Sequence, residues 1–490
     1  MSTDIEKSAG SKFAPTDSSA NSISGDDKIV KVVEAGSDST LNIQSLPAAL
    51  PPKKGYSSLT RWLDLVFFSY YRKTFSIIFV ANLITFIILV VRNNGTPKTP
   101  DVGSAASANL MVCLLFRQEN FVNLVYEIAV ACPHSAPLWL RRRLAKVFHY
   151  GGAHSGAGVA AVVWYILYTA LTTRDYIAHP NGPSLANLIT SYVLVTMFCL
   201  MLAAAYPRFR VLYHDYFEAM HRYSGWVALC TFWVHTIFAA EEYRVLQDEV
   251  VPIGLYLIRT PNFWTLCIST SCTILSWGRL RRHEVHPEVL SNHAIRLHFK
   301  YRNMKPFYGL KVSTNPLVEW HAFATIPDED EHGKPDGFSL LVSNAGDWTK
   351  ETITNPPKKL WVRGYPLHGL LYTSKLFKNI VVVATGSGIG PTLSLFYADV
   401  TPRRVFWSAP APETTFGEGV IKTVRKADRD ARIWDTRKEG KPDMVLETYK
   451  LVQESGAEAV FIISNPKLTR KVVFGMESRG IAAYGAIFDS

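Results

Sequence analysis

The chain has 490 residues, with 52 Lys+Arg against 41 Asp+Glu, a formal net charge of +11, 48% hydrophobic and 19% charged residues. These proportions exclude a wholly disordered chain, a collagen and a disulfide-stapled mini-protein. The apolar residues are concentrated in the middle of the chain, which argues against a purely soluble enzyme. The basic residues lie mostly beside apolar runs, where membrane topology rather than nucleic-acid binding explains them.

In chain order, residues 1–58 are polar and rich in Ser, Asp and Lys. They cannot bury a core alone and read as a disordered cytosolic arm. Met1 to Lys31 contains no apolar run of the kind a secretory signal needs, so none is expected.

Residues 59–282 carry six candidate membrane spans: Phe75–Val91, Ser107–Cys132, Ser155–Leu171, Leu185–Tyr206, Tyr223–Ala240 and Phe263–Trp277. Crossing about 30 Å of hydrocarbon takes about 20 apolar helical residues. Arg117, Glu119 and Glu127 interrupt the second, which could instead lie in the interface. Arg72 and Lys73, Arg141 to Arg143, Arg208 with Arg210, and Arg279 with Arg281 and Arg282 all fall on one side of six spans. That side is expected to be cytosolic. All six cysteines lie in this apolar region, consistent with buried thiols and no structural disulfide.

His221 and His235 lie fourteen residues apart in HRYSGWVALCTFWVH, nearly four helical turns, so both rings leave one face roughly 21 Å apart. Intramembrane histidines face a bundle interior, where they either ligate or hydrogen-bond. FHYGGAHSGAG supplies His149 and His154, and a glycine follows four residues after His154 and His221 alike (Gly158, Gly225). His154 with His221 is therefore the candidate axial pair for one cytosol-side haem. His149 and His235 are weaker candidates, because the position opposite His235 is Tyr168. A hydrogen-bonded pair of bundle histidines explains the same spacing.

Residues 283–372 change to short alternating runs (HAIRLHFKY, GLKVST, WHAFATI, GFSLLVSNAG, KKLWVRG), which predict a small antiparallel barrel. Residues 373–490 alternate strand and helix, predicting a doubly wound parallel sheet. Within them VVVATGSGIGPTLSLF runs from a buried strand through Gly386, Gly388, Gly390 and Pro391 into a helix. Such a turn lets backbone and helix N-terminus approach a pyrophosphate, although a tight structural turn also uses glycine.

With WHAFAT, AGDWT and TGSGIGP in this order after a helical unit bearing a His pair, residues 60–490 resemble the ferric reductase/NADPH oxidase superfamily and its ferredoxin–NADP reductase-like flavin domain. Within that group they are most similar to the transmembrane reductase-like module of fungal adenylation-domain fusion proteins; the resemblance does not extend to the adenylation domain itself. It implies a multi-domain membrane protein, with a transmembrane helical bundle, an antiparallel β-barrel flavin domain and an α/β nucleotide-binding domain. It implies FAD, NAD(P)H and haem b as cofactors. By the same resemblance His321, Phe323 and Thr325 line the flavin, while Arg363, Gly364 and Gly369 sit near its pyrophosphate. Gly386, Gly388, Gly390 and Pro391 hold the nicotinamide nucleotide, and Phe488 is the terminal aromatic stacked on the isoalloxazine. Thr325 and Phe488 are the expected catalytic positions.

The chain departs from that pattern at Ala322 and Ala324, which replace a proline and a hydroxyl residue, and at Ser464-Asn465-Pro466, which replaces Cys-Gly-Pro. No Arg follows Trp407–Pro410, leaving Arg403, Arg404, Arg437 and Lys438 as candidates for a 2′-phosphate. Two functions follow as expectations. One is a multi-pass, integral membrane oxidoreductase that passes electrons from cytosolic NAD(P)H through FAD toward the bilayer and an unidentified acceptor. The other is a catalytically degenerate nucleotide-binding membrane protein acting as redox sensor or scaffold.

Overall fold

In a computed structural model, residues 49–54, 57–179, 182–247 and 249–486 are described. The expected N-terminal arm falls largely outside them, as does Phe488. The arm's last residues are docked: Lys54 N donates to Ser478 O at 2.7 Å and Arg479 Nε to Pro51 O at 2.9 Å.

The apolar region forms α1 (Tyr70–Arg92), α2 (Thr99–Leu115), α3 (Glu119–Val130), α4 (Leu138–Leu144), α5 (Gly151–Ala178), α6 (Leu185–Ala204), α7 (His214–Val245) and α8 (Pro261–Trp277). Small residues set how closely they pack. A Cβ at Gly152 would collide with Tyr71 O, and one at Gly156 would come within 3.1 Å of the Phe75 backbone, so α1 lies directly on α5. Val102, Ala106, Ala160, Trp164, Tyr165, Leu194 and Phe232 form the bundle core.

Among the described residues three helices, α1, α5 and α6, are long and apolar enough to cross a membrane, against the six expected. Helices α2 and α8 have 17 residues each, and α7 carries charged groups at both ends of its 32 residues. The second expected span, Ser107–Cys132, is corrected outright. The helix stops at Leu115, Gln118 caps a new one by accepting from Phe121 N, and α3 leaves the bundle. Its carboxylates explain why. Glu119 accepts from Ser276 Oγ at 2.6 Å, and Glu127 accepts from Tyr372 OH at 2.8 Å and meets His368 Nε2 at 2.9 Å.

The next region contains eight strands: β1 (Arg281–Glu284), β2 (His286–Val289), β3 (Ala294–Phe299), β4 (Tyr308–Ser313), β5 (His321–Ala324), β6 (Ile326–Glu329), β7 (Pro335–Ser343) and β8 (Lys359–His368). They form two four-stranded antiparallel sheets, β1-β8-β4-β5 and β2-β3-β7-β6, rather than one closed barrel. Leu297, Phe299, Leu310, Val312, Phe338 and Leu340 fill the space between them.

Beyond a 3-10 turn at Leu370–Leu376 come β9 (Ile380–Thr385), α9 (Ile389–Ala398), β10 (Arg403–Ala409), α10 (Glu418–Ala427), β11 (Arg432–Asp435), α11 (Met444–Ser455), β12 (Ala459–Ile463), α12 (Pro466–Glu477) and β13 (Ala482–Gly485). The sheet is parallel with order β11-β10-β9-β12-β13, a doubly wound arrangement that reverses between β9 and β12.

The described residues form one compact unit. Val122 and Tyr126 of α3 and Ala145 share a buried cluster with Leu371, Tyr372, Phe377 and Tyr484. Helix α3 and the C-terminal sheet therefore share one core, distinct from that of the bundle.

Candidate functional site

Among the described residues, three places in the fold bring chemistry-bearing residues together. The first is the sheet reversal. Thr385 ends β9 and Ser464 follows β12, and their hydroxyls meet at 2.5 Å. Gly386 has φ +50 and open space where a Cβ would project, and its carbonyl accepts from Trp407 Nε1 at 3.0 Å. Gly388 is fixed by packing: a Cβ there would strike Ile463 O. Gly390 lies against Leu341, where a Cβ would come within 3.2 Å, and Pro391 continues the first turn of α9. Asn465 caps α12 by accepting from Leu468 N at 3.0 Å, with Pro466 at the first helical position. Two helix N-termini thus lie together at the carboxyl ends of β9 and β12, the switch point of the sheet, where an anionic dinucleotide is best held.

The candidate 2′-phosphate ligands divide by the same geometry. Arg403 and Arg404 are corrected: they begin β10, at the opposite end of the sheet, where Arg403 pairs with Asp399 and Arg404 with Asp428 at 3.2 Å. Arg437 and Lys438 follow the carboxyl end of β11, on the same side as that switch point.

The second place is the outer face of β8, β4 and β5. Register puts Arg363, Lys311 and Ala322 side by side across three strands, with Gly309 beside Ala324. The Arg363 guanidinium lies over Trp277 at 4.4 Å and Trp320 at 4.6 Å, and its Nε is buried with no hydrogen-bond partner among the described residues. Burial and the neighbouring Arg363 bring the Lys311 ammonium down to about 8. Burial also lowers Arg363 to about 10, with Arg222 adding to the effect and Glu119 opposing it. Gly364 has φ +77, and Glu119 fills the space its Cβ would need. Two half-buried cations, one with an Nε that has no hydrogen-bond partner among the described residues, make a face that calls for an anion. Lys311 and the two tryptophans escape a sequence reading, because GLKVST looks like a strand with an outward lysine.

The other expected residues have different roles. His321 stacks on Trp348 with ring centroids 4.2 Å apart, and Phe323 lies 5.9 Å from the same ring, so both stiffen β5 toward the sheet core. Thr325 is corrected: it is fully buried, and its hydroxyl donates to Tyr308 O at 2.9 Å, so it staples β5 to β4 and cannot face a ligand. Gly369 donates its N–H to Phe307 O at 2.9 Å. Asn123 of α3 clamps Pro366 O and His368 N, which covers the end of β8.

In the bundle His154 and His221 come together, with ring centroids 6.3 Å apart. His154 Nδ1 lies 2.9 Å from Cys113 O, an arrangement that leaves Nε2 for a metal. His149 packs on Phe148 and Tyr70, and His235 on Tyr165 and Tyr168.

Comparison with known proteins gives a consistent set of likenesses. Residues 370–490 match the family model described as Adenylate-forming reductase 03009, C-terminal domain. The chain is 44% identical over 441 residues to Adenylate-forming reductase 03009 of Coprinopsis cinerea, and 42% identical over 442 residues to Adenylate-forming reductase 06235 of the same fungus. Each match covers 90% of this chain, which spans 42% of the length of these curated relatives. Among solved structures, a ferredoxin NADP+ reductase from Neisseria gonorrhoeae with bound FAD and NADP is 13% identical, covering 42% of this chain and 98% of that one, with a TM-score of 0.35. A flavohemoglobin from Malassezia yamatoensis with bound FAD and heme is 11% identical, covering 79% and 98%, with a TM-score of 0.38.

Proposed function

We propose that the chain is a membrane-embedded oxidoreductase module that takes electrons from NAD(P)H through FAD toward its helical bundle. The observation that carries this reading is the half-buried pair Lys311 and Arg363, side by side and with an Arg363 Nε that lacks a hydrogen-bond partner among the described residues, on a face floored by Ala322 and Ala324. These groups fit a flavin nucleotide: the cations match a diphosphate, and the alanine floor leaves room for a flat ring.

FAD would supply the step from two-electron hydride acceptance to one-electron release. The chain's own groups do the rest. Arg363 and Lys311 hold the anion, and Trp277 and Trp320 keep Arg363 flat and shield it from water. The switch point around Gly386 and Asn465 holds the pyridine dinucleotide, with Arg437 and Lys438 available to a 2′-phosphate. His154 and His221 would hold a haem b, giving the bundle a one-electron relay.

The bilayer reading is supported by α1, whose apolar window has no buried residue; Ile77 is 69% and Val91 73% exposed. A row of such side chains in water would be an aggregation site. The basic clusters and the sheets then lie on the cytosolic side.

A second reading, a redox sensor or scaffold, rests on Ala324 and the buried Thr325, which leave no hydroxyl on the floor. The absorbance of the detergent-purified full chain separates the two. The enzyme reading expects flavin absorbance bleached by NADPH, together with a Soret band. Flavin without a Soret band removes the haem, binding without bleaching selects the sensor, and neither band overturns the enzyme. Thr325→Val is expected to cost about 1 kcal/mol of stability for the lost hydrogen bond. NADPH oxidation should stay within about twofold, as read by thermal melting and turnover of the same preparation.

A further inference from the structure

We propose that the loop of residues 315–319, between β4 and β5, inserts Leu317 and Val318 into the lipid–water interface of a phospholipid bilayer. The inference rests on the bilayer reading above and extends it from the helices to the antiparallel sheets.

Helix α7 fixes the level. Tyr223, Val227, Cys230, Val234 and Ile237 are exposed, and they recur at steps of three and four residues, so they form one outward stripe. Ser224, Ala228, Phe232 and His235 are buried on the opposite face. Residues 223–240 contain no Asp, Glu, Lys or Arg, and Arg222 and Glu241 flank them. Those two charges lie roughly 28 Å apart along the helix axis. The hydrocarbon layer is about 30 Å thick. Arg222 therefore marks one boundary. Before it the exposed Tyr216 and Met220 continue the stripe into the interfacial layer, where tyrosine is favoured.

The loop is seated at that boundary. Arg222 Nη1 donates to Leu317 O at 2.6 Å and to Val318 O at 3.0 Å, and Tyr223 OH donates to Leu317 O at 3.0 Å. Within the loop Val318 N and Glu319 N both donate to Asn315 O, at 3.0 and 3.1 Å. These carbonyls are paired, while the Leu317 and Val318 residues are 53% and 59% exposed. A turn with paired backbone and outward apolar side chains suits the edge of a bilayer, where unpaired peptide groups are costly. A protein partner would have to cover the loop and leave the adjoining stripe bare, whereas lipid covers both. Trp320 follows the loop directly. Its Nε1 donates to Pro316 O at 2.9 Å, and the Arg363 guanidinium lies over its ring at 4.6 Å. Lipid that seats the loop thus also seats one wall of the anion-binding face.

The test is photo-crosslinking of the full chain in phosphatidylcholine nanodiscs, with p-benzoylphenylalanine placed in turn at the positions of Val227, Val289 and Val318. Val227 lies on the α7 stripe, and Val289 is an exposed residue of β2 in the other antiparallel sheet. After irradiation, intact mass is expected to show an added phospholipid for the probes at Val227 and Val318 and none for the probe at Val289. Leu317→Asp should remove the adduct at Val318 and leave both the adduct at Val227 and the melting temperature in detergent unchanged. Lipid at Val227 without lipid at Val318, cross-links from Val318 to a second copy of the chain, lipid at all three positions, or an adduct at Val318 that survives Leu317→Asp overturns the proposal. Absence of lipid at Val227 as well removes the bilayer reading together with it.

Discussion

Lys311→Met and Arg363→Ala are each expected to cut FAD affinity by roughly 10- to 150-fold. This follows from about 1.5–3 kcal/mol for a charge-assisted hydrogen bond. Deflavinated full-length protein titrated with FAD and followed by flavin fluorescence measures it. The pH dependence discriminates further. In the free protein Lys311 titrates near 8, lowered first by burial and then by Arg363. A bound diphosphate favours the charged ammonium, so binding takes up a proton wherever the free lysine has lost it. Affinity should hold below pH 8 and fall by up to about tenfold per pH unit above it. Lys311→Arg stays charged and should flatten that slope. Equal FAD affinity in the parent chain, Lys311→Met and Arg363→Ala would place the flavin elsewhere or remove it.

The contrast between Arg363 and Lys311 shows what a linear sequence carries. Arg363 is legible because it sits in a contiguous stretch, VRGYPLHG. Lys311 becomes its neighbour only through the pairing of β4 with β8, which no local pattern reveals. The glycine-rich turn is legible for the opposite reason: strand, turn and helix are consecutive, so the switch point is half-written in one segment. Its other half, Asn465-Pro466 at the start of α12, reads locally only as a departure from a motif. Arg403 and Arg404 mislead because a composition argument does not say which end of a strand faces the ligand. Strands β1 and β2, RRHE and HPEV, are too short and too charged to show alternation, which is why two sheets read as one smaller barrel. The break in the second expected span was in view all along, in Arg117, Glu119 and Glu127. What those carboxylates touch, Ser276, His368 and Tyr372, lies 157 to 245 residues away.

The joint between the bundle and the C-terminal sheet should prove the most sensitive point of the whole chain. Arg141, its side chain 4% exposed, donates to both carboxylate oxygens of Glu458 at 2.7 and 3.0 Å, to Leu376 O at 2.8 Å and to Ala136 O at 3.0 Å. Glu458 also accepts from Lys378 N at 2.8 Å. Arg141→Ala would strand a half-buried carboxylate and two carbonyls, a loss of about 1.5–3 kcal/mol. The double variant Arg141→Met/Glu458→Leu removes both charges together and should recover most of that loss, because desolvation of the pair nearly cancels its attraction. The hydrogen bonds from Arg141 hold the Glu458 carboxyl below the ordinary glutamate range. A lowered carboxylate stabilises above the unfolded-state value and ceases to do so as pH falls through the folded-state value. The deficit of Arg141→Ala relative to the parent chain should therefore be full at pH 7 and shrink below about pH 4. Thermal unfolding of the full chain in detergent reads all three outcomes. A deficit for Arg141→Ala that persists unchanged in the double variant would mean that the arginine acts through packing alone. One that vanishes with both charges gone identifies the ion pair as what ties the helices to the nucleotide-binding sheet.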